Sequence, residues 1–165
     1  MTNFFCSFEQ YIFILQKNGG SHLKINKLYE IAEKENIKIY DWYIEDCYGV
    51  YLNVDKINAI ALNYDEIGTY IDEKIVLAEE LGHYYCDATY PLECTNETLI
   101  NKQEYRAKKW SYTTLVPYNQ LKNAINKGIT LLWELADYFE VTNEYMQNCL
   151  DFYFNKYGNT FFEEV

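Results

Sequence analysis

"LAEELGHYY", residues 77–85, is the stretch on which the reading of this chain turns. Glu79 and His83 stand four residues apart, which places them on one face of a helix, with Glu80 next to Glu79. The spacing is that of the metal-binding pattern H-E-x-x-H, with Glu79 in the first His position. The surrounding run "TYIDEKIVLAEELGHYY" (69–85) predicts a helix whose inner stripe is Ile71, Ile75, Ala78, Gly82 and Tyr85. At about 100° per residue, Glu79 and His83 fall at the border of that stripe, and Glu80 is expected further out. Border positions suit a metal ligand, since they are dry enough to favour an ion yet open to a substrate. Taken alone, E-E-x-x-H is an ordinary acidic helix face, because adjacent glutamates are usually solvated and a single histidine is seldom a ligand.

A three-ligand site draws its last ligand from elsewhere in the fold, usually as a carboxylate. "NKQEYRAKKWSYTTLV" (101–116) predicts a second helix, which brings in Glu104, 21 residues after His83. The rest of the chain frames these two segments. "LKINKLYEIAEKENI" (23–37) reads as an amphipathic helix. "KIYDWYIED", "YGVYLNV" and "AIALNY" read as strands of a small antiparallel sheet. "YNQLKNAINKG" is a helix between Pro117 and a stop at Gly128. "TLLWELADYF" and "NEYMQNCLDFYF" are two more, joined by "EVT" with Thr142 as N-cap. The class is α+β: a small antiparallel sheet, a helical body and a C-terminal helix-turn-helix-like pair. Residues 1–22, with a short aromatic helix before "NGGS", form an N-terminal extension; 23–128 carry the site, and 129–165 form the C-terminal segment.

Composition narrows the function classes. The chain has 165 residues, 49% of them hydrophobic, enough to bury a core in one domain or a compact pair of subdomains. Its net charge of −11 disfavours phosphate backbones and anionic membranes, and favours a basic partner. No apolar run approaches the roughly 20 residues of a membrane span. Five cysteines without a C-x-x-C pair predict free thiols in a reducing cytoplasm. The apolar start carries Glu9 and Gln10 and lacks a basic beginning and a cleavage site, unlike a signal peptide. His22, beside the Gly-Gly joint, reads as a loop histidine.

Four segments in order, "AIALNY" (59–64), "LAEELGHYY" (77–85), "KQEYRAKKWSYTTLVP" (102–117) and "WELADYFEVTNEYMQNCLDFYFNKYG" (133–158), resemble the ImmA/IrrE family of metallo-endopeptidases over roughly residues 25–158. The form is that of prophages and integrative elements, in which "AEELGH" recurs. The resemblance implies a gluzincin-like, cytoplasmic, zinc-type peptidase. Its metal ligands would be Glu79, His83 and Glu104, with Glu80 as general base. It also implies a helix-turn-helix repressor of a mobile element as the protein to be cleaved or inactivated. Lys108 is a second departure, since classical members tend to carry Asp there.

Glu reaches about as far as His, so Glu79 keeps a three-ligand site possible but removes one positive charge from it. A less positive centre acidifies water less, and two carboxylates shift the preference from Zn2+ toward Mn2+ or iron. The expectation is a slower or metal-promiscuous enzyme; the alternative is a non-catalytic pseudo-peptidase that binds a protein without cutting it. A third reading, a purely structural acidic domain, is opposed only by the resemblance. A rival structural zinc site on His83, Cys86 and Cys94 lacks a fourth ligand and paired spacing. Residues 130–165 hold one basic side chain, Lys156, against seven acidic ones, so direct DNA contact by the C-terminal pair is not expected.

Overall fold

The structure is a computed structural model that describes residues 23–55, 57–90 and 94–158. The N-terminal extension and His22 lie outside the described residues. Among the described residues, six helices and three strands follow one another as α1 (Ile25–Lys34), β1 (Lys38–Asp41), β2 (Gly49–Val54), β3 (Ile57–Leu62), α2 (Tyr70–Tyr85), α3 (Glu97–Leu115), α4 (Tyr118–Asn126), α5 (Leu132–Phe139) and α6 (Asn143–Tyr157). The class is α+β, as the sequence predicts.

The sheet differs in one respect. Its order is β1-β3-β2, and β1 pairs with β3 in parallel, so the sheet is mixed and not purely antiparallel. The reason is legible in β3, "INAIAL" (57–62), whose last three residues are buried while β1 is largely exposed. A strand apolar on both faces belongs in the middle of a sheet. The segment 42–48 crosses over it, so β2 returns on the far side as an edge strand. Asn63 secures that crossing by donating from its side-chain nitrogen to the carbonyls of Ile44 (2.8 Å) and Cys47 (3.1 Å).

Helix α2 is central. Thr69 caps it, its hydroxyl accepting from the Asp72 amide at 3.2 Å. Its buried face is Lys74, Leu77, Ala78, Leu81 and Gly82, while Ile71, Ile75 and Tyr85 are only half-buried. The stripe is thus rotated from the sequence expectation, because the sheet and α3 pack on α2 from different sides. Leu77 and Leu81 are fully buried, which stabilises the fold by about 2 kcal/mol each. Gly82 allows the closest approach: a Cβ there would collide with the Ala107 carbonyl oxygen, so α2 and α3 touch backbone to backbone.

The C-terminal helices join the same core. Lys74, fully buried, donates to the carbonyls of Phe139 (2.9 Å) and Glu140 (3.1 Å), which end α5, and stands 3.6 Å from the Glu140 carboxylate. Glu140 takes a left-handed backbone (φ 52°), closing α5 before Thr142 caps α6 through the Tyr145 amide at 3.1 Å. The Tyr145 hydroxyl donates to Ser111 Oγ at 2.8 Å, and Tyr153 to the Val116 carbonyl at 2.6 Å. Among the described residues no helix is long and apolar enough to cross a membrane.

Candidate metal centre

The site forms where the last two turns of α2 meet β2 and the first half of α3. Gly49 opens β2 against α2; a Cβ there would meet Val76 at 2.6 Å and Glu80 at 3.3 Å. β2 therefore lies directly over Glu80, which is buried and not turned out to solvent as the helical spacing alone suggests. A cleft of about 850 Å³ runs along β2 and is lined by Glu79, Glu80, His83, Tyr90, Glu104 and Lys108 among others. All four sequence-predicted site residues face this one space.

His83 is the most constrained of them. The chain reverses after α2 through Asp87, at φ 47°, which brings the Ala88 carbonyl back to the ring. His83 Nδ1 donates to that carbonyl at 2.6 Å, and the Ala88 amide returns to the His83 carbonyl at 2.9 Å. A carbonyl can only accept, so Nδ1 carries hydrogen and Nε2 is the ring atom left for an ion or a proton. Nε2 faces Glu104 Oε1 at 3.5 Å. The reversal is braced from α3 by Arg106, which donates to the Cys86 carbonyl and to Gln103 at 2.7 Å.

The charges are strongly perturbed. Burial pushes the Glu80 carboxyl up to about 7, against the pull of His83 and of a hydrogen bond from the Tyr51 amide. Burial also raises Glu79, which Lys108 and His83 pull down and Glu104 pushes further up. Burial works against a charged His83, but its bond to Glu104, the Ala88 carbonyl and the nearby Glu80 outweigh that and raise it to about 9. The same bond holds Glu104 below its usual value, helped by the Tyr90 hydroxyl, which donates to Oε1 at 2.8 Å.

The donor set has the chemistry of a divalent-ion site: an imidazole with its far nitrogen anchored, and carboxylates from two helices. His83 and Glu104 meet, whereas Glu79 stands apart from them. Among the described residues no three His, Cys, Asp or Glu side chains are close enough together to hold one ion. Binding would require Glu79 and Glu104 to draw in and the His83 Nε2 proton to leave. The rival cysteine site is not assembled either. The Cys86 thiol instead points to the Arg106 carbonyl at 3.4 Å, and Cys94 is a half-buried free thiol.

Three contributors escaped the sequence reading: Tyr90, Arg106 and the Tyr51 amide. Arg106 lies inside the quoted "EYRAKKW" and could have been suspected, since a cation beside the carbonyl end of a helix has a ready partner. Tyr90 and the Tyr51 amide act through tertiary placement, which no local pattern reports.

An altered E-E-x-x-H turn, facing a carboxylate from the following helix, marks the chain as metallopeptidase-like. The family model described as the IrrE N-terminal-like domain (Peptidase_M78) matches residues 28–150, and the chain belongs to that family. No curated protein and no solved structure gives a match.

Proposed function

We propose that the protein is a cytoplasmic metal-dependent endopeptidase that cleaves or inactivates a helix-turn-helix repressor of a mobile element. The observation that carries this reading is the convergence of Glu79, Glu80, His83 and Glu104 on one cleft beside an edge strand. Glu79, His83 and Glu104 would hold the ion, zinc or a harder ion such as manganese. Such an ion supplies polarisation of a peptide carbonyl and a more acidic water.

The chain's own residues supply the rest. Glu80, at about 7, is poised to take a proton from the attacking water near neutrality and hand it to the leaving amide nitrogen. The Tyr51 amide fixes the orientation of that carboxylate. The Ala88 carbonyl keeps Nε2 of His83 aimed into the cleft. β2, an edge strand along the cleft, offers backbone groups to an extended substrate. The net charge of −11 steers a basic DNA-binding partner toward the protein.

The test is co-expression with the repressor encoded nearest the gene, wild type against Glu80→Gln. The peptidase reading predicts that the repressor is cut by wild type and left whole by the variant. A repressor inactivated equally by both, without a cleavage product, would establish the pseudo-peptidase alternative that Glu79 invites.

A further inference from the structure

Lys108 follows Glu104 by one helical turn, so the two side chains leave α3 on the same face. Its side chain lines the cleft together with Glu79, Glu80, His83 and Glu104. Of the neighbouring charges, Lys108 pulls most strongly on Glu79 toward its charged form, and it acts on Glu104 in the same direction. The ammonium is not locked there. None of the ion pairs within 4.0 Å among the described residues involves it, and the residue is exposed. A lysine is a compact charge on a flexible four-carbon stem, able to lie in the cleft or to extend into water.

A divalent ion and this ammonium require the same carboxylates. With Lys108 turned inward, Glu79 and Glu104 are already neutralised in part, and an arriving cation is repelled. With Lys108 turned outward, both carboxylates are free to draw toward His83. We propose that Lys108 is an internal competitor for the metal, its ammonium standing against Glu79 and Glu104 so that an ion binds only as the side chain swings out. This rests on the assignment of Glu79, His83 and Glu104 as the ligands. Lys108 is then the residue that sets the affinity for the ion, and it acts without touching it.

The experiment is calorimetric titration of the full chain with Zn2+ and, separately, Mn2+. It compares wild type with Lys108→Met, Lys108→Arg and His83→Ala, with circular dichroism to verify folding. Lys108 is exposed on a helix, and methionine keeps the helix propensity. The expected result is that Lys108→Met binds about tenfold more tightly than wild type at low ionic strength, an effect limited by solvent screening. That gap should shrink with added salt, and Lys108→Arg should resemble wild type. Equal or weaker binding by Lys108→Met, with binding still abolished by His83→Ala, overturns the role of Lys108 and leaves the ligand assignment standing. If wild type and Lys108→Met bind no ion, both ideas fall together.

Discussion

Burial presses charge toward neutrality at both Lys74 and Glu80 of α2, but the two are compensated to different degrees. Near its start, the Lys74 ammonium is fully buried and has three acceptors, two carbonyls and a carboxylate, all at the close of α5. Further along, Glu79 and Glu80 are pressed toward neutrality by burial, and Glu80 is offset by the charge of His83 and one backbone donor, the Tyr51 amide. Buried charges that are saturated hold structure together, and those left under-satisfied are the ones available for chemistry. One helix thus ties the C-terminal pair to the core with one turn and turns a buried carboxyl, raised to about 7, toward the cleft with the next.

Breaking the saturated end should have the largest effect. Lys74→Ala strands the Phe139 and Glu140 carbonyls and opens a cavity, and should cost about 3–5 kcal/mol in urea unfolding. Gly82→Ala should follow at about 2–3 kcal/mol, because the Ala107 backbone cannot yield the way a flexible side chain would. Both variants should unfold cooperatively at lower denaturant midpoints. Tyr145→Phe, which removes only the bond to Ser111, should cost about 1 kcal/mol.

Those stability sites were only partly legible in the sequence. The order of elements, the cap at Thr142 and the stop at Gly128 follow from local chemistry, and the structure has them. Lys74 was not legible, since a lysine on an acidic helix reads as a solvated charge until α5 is known to end against it. The parallel pairing of β1 was hidden for the same reason, because the crossover is held by Asn63 and not by any turn motif. At the site, spacing placed Glu79, Glu80 and His83 on one helix, but it took the family resemblance to single them out with Glu104; the structure lines one cleft with all four. Spacing could not show that β2 covers Glu80, because helical periodicity carries no information about a strand folded over it.

The Glu80 end should respond to mutation in the reverse manner. Glu80→Gln keeps an oxygen to accept from the Tyr51 amide and removes a charge that burial disfavours. Its stability should therefore stay within about 1 kcal/mol of wild type, the smallest effect of the series, while peptide cleavage is lost. A loss comparable to that of Lys74→Ala would mean that Glu80 is structural and that the two ends of the helix do not differ.

The most direct test of the central claim is the metal content of the purified full-length chain, wild type against His83→Ala, after equilibration with Zn2+ or Mn2+ and removal of excess. The account predicts about one divalent ion per wild-type chain and none in the variant, with the variant still folded. A folded wild-type protein that retains no ion, or a variant that retains as much as wild type, would contradict it.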